Sequence, residues 1–182
     1  MSDSPTTRPL RARQLGTGDL PALQRLLDAD PGYARRVTGA DPGAGDAADL
    51  LRNGPPDLPP ERKIVLGVFE AAHLVAVVDV LRGWPDSLTA HVGLLQVHAD
   101  HQGRGIGRRA HELLVDLVAE WPEVTTLRAA IVATNAAEAE PFWSRLGYRP
   151  SGPPRPYQAG RTATEVTIWT RAARAADEEQ PR

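Results

Sequence analysis

The sequence predicts a mixed α/β domain, and three observations carry that prediction. Seven short apolar runs read as strands, one central stretch has a clear helical period, and a glycine-rich loop joins that helix to the strand before it. The central stretch is His91–Trp121, HVGLLQVHADHQGRGIGRRAHELLVDLVAEW. Within it His91–His98 is a nearly continuous apolar run, with Val92, Leu94, Leu95 and Val97, of the kind a buried strand shows. Gln102–Arg108 is QGRGIGR, with glycines at 103, 105 and 107. Arg108–Trp121 then places apolar residues at 110, 113, 114, 117, 118 and 121, the spacing of an amphipathic helix.

The other elements follow in chain order. Residues 1–7 are polar and expected to be disordered. Leu10–Leu15 alternates and reads as a first strand. Asp19, followed by Pro21, opens a short helix whose apolar face is Leu20, Leu23, Leu26 and Leu27. Pro31–Thr38 reads as further helix and Ala47–Arg52 as a small one. NGPPDLPP at 53–60 excludes regular structure. Ile64–Phe69 and Leu74–Leu81 read as a hairpin joined by Glu70–His73. Asp79 interrupts the second of these runs. It is either satisfied by bonding, pairing or an exposed edge, or it lines a pocket. Gly83-Trp84-Pro85-Asp86 is a turn in which Trp84 either walls a pocket or packs.

Beyond the central unit, Trp121-Pro122 ends the helix. Leu127–Val132 is a fifth strand, and Asn135 with Glu138 suits a capping pair. Pro141 is expected to start a helix, Pro141–Leu146, closed by Gly147. Tyr148–Pro150 and Val166–Thr170 read as a last hairpin across a Pro-rich loop holding Tyr157. The charged Ala172–Arg182 is expected to be disordered, which leaves one domain over 8–171.

Composition narrows the function. A chain of 182 residues, 41% apolar and 24% charged, suits one domain with a substantial core. The net charge of −2 gives no case for nucleic acid or an anionic membrane. With no cysteine, disulfides, thiolate catalysis and Cys-ligated zinc are excluded. None of the five histidines forms H-E-x-x-H, so no metal is expected. The opening MSDSPTTRP lacks an apolar signal core, and the most apolar window, Ile64–Leu81, contains Glu70, His73 and Asp79. The chain is therefore expected to be cytoplasmic.

A strand, a glycine loop and a helix in that order make an anion site. Glycines let the backbone approach a ligand, and the free N–H groups of the first helical turn favour negative charge. The spacing here is G-x-G-x-G, not the G-x-G-x-x-G of a dinucleotide loop, and no lysine follows as in a Walker loop. Gln102, Gly105 and Gly107 match the acyl-CoA loop of the GNAT superfamily of N-acetyltransferases, Q/R-x-x-G-x-G/A. Leu95-x-Val97 upstream matches the end of that family's fourth strand. Asn135 and Phe142-Trp143-x-x-Leu146-Gly147-Tyr148 downstream resemble its N…(F/L)-Y-x-x-x-G-(F/Y) segment. The resemblance covers roughly Val65–Arg171.

The resemblance implies a GNAT fold: a central mixed, mostly antiparallel sheet of six to seven strands, splayed between strands 4 and 5, with helices on both faces. It also implies acetyl-CoA as cofactor and direct transfer of its acetyl group to a primary amine of a small molecule or peptide. Gln102, the backbone of Gly103, Arg104, Gly105, Ile106, Gly107 and Arg108, and the Arg104 and Arg108 side chains would hold the pyrophosphate. Leu95 and Val97 would pair with the pantetheine arm, the N–H near Val97 would serve as oxyanion donor, and Asn135, Phe142 and Trp143 would face it across the cleft. Two positions depart from the pattern. Trp143 stands where many relatives carry a tyrosine acid, so Tyr148 or Tyr157, or water, must replace it. His91 stands where many carry a glutamate base, with Asp79 as the next candidate. Asp79, Asp86, Glu138 and Glu140 would make the cleft welcome a cation. The alternative is a catalytically degenerate, acyl-CoA-sensing domain acting through protein contacts. Homodimers are common in the family, and no residue here marks a dimer surface.

Overall fold

A computed structural model of the chain describes residues 9–174. The stretches 1–7 and 175–182, expected to be disordered, lie outside the described residues. Four strands, β1 (Leu10–Gln14), β2 (Lys63–Glu70), β3 (His73–Arg82) and β4 (Thr89–Val97), pair antiparallel in that order. Beyond β4 comes β5 (Thr126–Val132), in parallel, and then the antiparallel β8 (Thr162–Ala172). The short β6 (Arg149–Pro150) and β7 (Arg155–Ala159) also pair with β8, completing one eight-stranded sheet. The sheet is mixed and mostly antiparallel, as expected.

Helices cover both faces. On one face α1 (Leu20–Asp28) and α3 (Asp46–Arg52) bury Leu23, Leu26, Leu27 and Ala47 against Leu15, Val65 and Val77. On the other, α4 (Ile106–Ala119) and α5 (Ala136–Arg145) cover the larger cluster, which includes Val80, Leu114, Leu127 and Trp143. Leu23 and Leu114 are wholly enclosed, and each such side chain contributes roughly 1.5–3 kcal/mol by leaving water. No helix among the described residues is long and apolar enough to cross a membrane.

The site is made by one break in the sheet. β4 pairs with β5 only from Thr89↔Thr126 to Val92↔Ala129. Past that point the strands part, and the β4 edge from Gly93 to Val97 has no strand beside it on the β5 side. A bulge sits at the same point, because Asp79 pairs with Leu94 but Val80 pairs with Val92, leaving Gly93 as the extra residue. Helix α2 (Pro31–Thr38) ties the two arms together. Arg36 Nε donates to Asn135 Oδ1 at 2.7 Å, the Thr134 hydroxyl donates to the Arg36 carbonyl, and Arg161 N–H donates to the Thr38 carbonyl at 2.9 Å.

Several boundaries differ from the sequence reading. α4 begins at Ile106 and ends at Ala119, so Trp121 lies beyond it, packed in the core. α5 starts at Ala136 and runs through Pro141. The bond Pro141 cannot donate would have gone to Ala137, which is exposed and leaves its carbonyl open to solvent, while Phe142 and Trp143 hold the helix on the core. Asn135 makes no cap with Glu138, since its carbonyl oxygen is engaged by Arg36. The Pro-rich loop contains β7, which tolerates Pro156 because it is an edge strand. Ala172, placed by sequence in a tail, ends β8, and Ala173 is buried with its N–H on the Thr125 carbonyl.

Candidate active site

The parted strands form a cleft of about 500 Å³. Its floor comes from Val92 to Val97 of β4 and Ala129 and Ala130 of β5. One end is the loop Gln102–Gly107, and the walls are α2 and α5.

The loop end is built from main chain. Gly103 and Gly105 have φ of 73° and 77°, in the left-handed region that side-chain-bearing residues avoid, and Gly105 caps α4. No atom would crowd a Cβ at either position, so handedness and not space demands glycine there. Gly107 is different, because a Cβ there would stand 3.2 Å from the Phe142 ring. α4 carries no acidic residue in its first turn and no side-chain cap, so the N–H groups of Ile106, Gly107 and Arg108 point to the cleft end without an intrahelical acceptor. Gln102 braces the loop, its amide donating to the Val97 carbonyl at 3.1 Å and to Asp30 at 3.2 Å.

Of the residues the sequence assigned to the cofactor, Leu95, Val97, Gln102, Gly103, Gly105, Ile106, Gly107, Arg108, Asn135, Phe142 and Trp143 all line this cleft. Arg104 does not. Its guanidinium turns away to His101 at 2.7 Å and Glu70 at 3.3 Å. Arg145 takes a place in the wall that the sequence reading did not give it. Its spacing of three from Phe142 on the same helix face was the available signal.

The other end is built from side chains, and here the expected catalytic residues are rearranged. His91 does not line the cleft. Counting alternate residues back from Val97 puts it on the Leu95 face, but the Gly93 bulge reverses the phase. Ala90 and Val92 join Leu95 and Val97 in the α4-side core, and His91 faces the other way. Its imidazole is buried, 5.0 Å from the Trp84 ring, and Nδ1 accepts from Arg128 at 2.9 Å. Burial first, then the Arg128 charge, pushes it down to about 3, so it stays neutral through the ordinary range. Tyr148 is also displaced from its expected role. It is fully enclosed, with its hydroxyl on His111 Nε2 at 3.1 Å, and burial raises the phenol well above its usual value. Burial, with Arg171 adding to it, pushes His111 down to about 4.

Asp79 comes closer to its expectation. Oδ1 accepts from Lys63 Nζ at 2.7 Å in a buried pair. Oδ2 bonds to nothing among the described residues, and a Cβ on Gly93 would stand only 2.8 Å from it. The missing side chain of Gly93, a cleft residue, is what lets the carboxylate pack there, directly beneath the cleft floor. Burial lifts the Asp79 carboxyl above the ordinary aspartate range, with Lys63 opposing. Tyr33 of α2, which the sequence reading passed over, lines the cleft. Burial, reinforced by Tyr157 and Asp79 and opposed by Arg36, pushes its phenol up to about 12. The expected cation-binding acids do not converge. Asp79 is paired, Asp86 caps its own turn, Glu138 lines the cleft with α5, and Glu140 is exposed.

Comparison with known proteins follows the same lines. The model of the acetyltransferase (GNAT) family matches residues 30–148, well over half of the chain. An acetyltransferase from Thermus thermophilus superposes with a TM-score of 0.73 at 25% identity, over 91% of this chain and 98% of its own. The ribosomal-protein-S18-alanine N-acetyltransferase from Escherichia coli does so with a TM-score of 0.66 at 21% identity, over 96% and 100%. A GCN5-related N-acetyltransferase from Kribbella flavida gives 0.65 at 20%, over 93% and 99%. The last two likenesses show the fold alone. No curated protein matches the chain.

Proposed function

This chain belongs to the GNAT acetyltransferase family, and from that premise we propose that it binds acetyl-CoA and transfers the acetyl group directly to a primary amine. The observation that carries the reading is the meeting, in one cleft, of an unpaired strand edge and a glycine-capped helix end free of acids. These residues fit the cofactor. The N–H groups of Gly103–Arg108, with Arg108 and Arg145 beside them, suit a pyrophosphate. The open β4 edge at Leu95–Val97 suits an extended amide-bearing arm, with a free N–H near Val97 placed to polarise the thioester carbonyl. Gln96 adds a buried Nε2 with no partner among the described residues. Acetyl-CoA supplies the activated acetyl thioester.

Asp79 is the base in this reading. Oδ2, packed against Gly93 of the cleft floor, takes one proton from the acceptor ammonium, directly or through one water, and the amine forms its C–N bond as the C–S bond breaks. Tyr33, held protonated, gives a proton to the departing thiolate, and the second proton that the nitrogen sheds as it becomes the amide restores the phenol through solvent. Asp79→Asn should lower turnover by roughly 10²- to 10⁴-fold with acetyl-CoA affinity unchanged. That variant also strands the Lys63 charge, at a cost of about 3–5 kcal/mol in stability. Lys63→Met separates the two effects when turnover is read at alkaline pH, because it breaks the pair but keeps the Asp79 carboxyl, whose titration moves further up once Lys63 no longer opposes burial. Turnover that survives in Lys63→Met and fails in Asp79→Asn supports the base. Equal loss in both would reduce Asp79 to a structural partner. Intact cofactor binding without turnover on any amine would favour the sensing alternative.

A further inference from the structure

We propose that the acceptor is a small amine that also carries an anionic group, a carboxylate or its phosphonate analogue, which docks on Arg128 and Arg155. This names the substrate class of the same cleft and rests on the acetyl-transfer reading. Side chains alternate along β5: Leu127, Ala129 and Ile131 enter the core under α4, while Arg128 and Ala130 face the opposite side. Ala130 lines the cleft, so Arg128 stands two residues, roughly 7 Å, further along the same face. α2 walls the cleft beside Ala130, and its C-cap Gly39 approaches Thr162 of β8.

Arg128 is set for an anion that the chain does not supply. Its guanidinium lies over the Trp84 ring, with Cζ 5.1 Å from the centroid, and Nη1 donates to a histidine that burial keeps neutral. Among the described residues it forms no ion pair. Asp86, the acid whose charge it feels, is turned to the Leu88 N–H and the Thr89 hydroxyl, each at 3.0 Å. Arg155, opposite Val166, shares the face through the register Val132↔Val166 on the other side of β8, and its charge bears on Arg128. Arg155 has no ion-pair partner among the described residues either. The Arg155 charge opposes that of the half-buried Arg128, and a carboxylate seated on the free Arg128 guanidinium fork and reached by the exposed Arg155 side chain would relieve that repulsion. At the opposite pole of the acceptor end, Asp79 would take the ammonium. Separate poles of opposite sign match a molecule with both charges better than a simple cation.

The test is a spacing series: glycine, β-alanine, 4-aminobutanoate, 5-aminopentanoate and 6-aminohexanoate, each against its carboxamide, with 3-aminopropylphosphonate as the second anion. Turnover is followed by thiol release. Binding to the protein–CoA complex is followed by the NMR signal of the Trp84 indole. The expected result is at least one acid with kcat/KM tenfold or more above its amide, a gap that closes in Arg128→Gln through KM and persists in Arg128→Lys. Amides equal to or better than every acid, or a gap unchanged in Arg128→Gln, would overturn the proposal. If no amine is acetylated at all, the transfer reading fails, and the anion site is judged by binding alone. Acids shifting the Trp84 signal in the native chain but not in Arg128→Gln would support it, and no shift with any acid or with the phosphonate would overturn it.

Discussion

The two ends of the cleft are made of different material. At the loop end the groups that face a ligand are backbone N–H groups, set by two left-handed glycines and the first turn of α4. At the other end the proposed acceptor groups are side chains, Tyr33 of α2 in the cleft wall, with Asp79 of β3, Arg128 of β5 and Arg155 of β7 around it. Main-chain sites depend on local conformation and tolerate change in the surrounding side chains. Side-chain sites depend on long-range packing, and each residue is replaceable on its own. In the acetyl-transfer reading, one end can therefore keep a single cofactor while the other changes acceptor.

The sharpest way to break that comparison is Gly105→Val. A β-branched residue at φ 77° is strained, so the loop must change shape. Acetyl-CoA affinity should fall by roughly 10²-fold with the fold retained, measured by calorimetry and circular dichroism. Unchanged affinity would show that the loop does not set the cofactor site. Next in size is Tyr33→Phe, which removes only the phenolic proton. Turnover should fall roughly 10- to 30-fold and the cofactor Kd should stay constant. A change in Kd with normal kcat would move Tyr33 to the cofactor end.

The smallest effect is on stability, and it should be the same at both ends. His91 lies by the acceptor end and His111 beneath the cofactor end, and both have folded values, about 3 and about 4, below the unfolded 6.5. Below pH 6.5 the unfolded chain takes up protons that the folded one refuses. Each histidine should therefore subtract up to about 1.4 kcal/mol per pH unit as pH falls toward 4. Denaturant titrations should show His91→Gln and His111→Gln each removing one such increment from the slope. His91→Gln should also leave the acidic limb of the rate profile in place, since that limb would belong to Asp79.

What could be read from the sequence followed this division. The cofactor end was legible because its signals are contiguous: Leu95, Val97, the Gln102–Arg108 loop and the α4 period lie within one short stretch. Phe142, Trp143 and Asn135, which line the same cleft, belong to a second local pattern. The acceptor end was not legible in the same way. Lys63 meets Asp79 only through the β2–β3 register, Tyr33 sits on a helix that bridges two arms, and Arg128 matters because the strands part beside it. His91 was misplaced by one bulged glycine, which shifts the face of every residue before it. Arg104 was misplaced because a loop position does not say which way a long side chain turns.

Lys63 has a further consequence. It is the only lysine in the chain, and its ammonium is sequestered against Asp79. Thioesters acylate exposed neutral amines without help, and a protein that holds acetyl-CoA meets that hazard at high local concentration. Here the other basic side chains are five histidines and the arginines, which are poor nucleophiles, and the single lysine is buried with its Nζ on Asp79. In the acetyl-transfer reading proposed above, this arrangement leaves a bound thioester no exposed lysine of its own protein to modify.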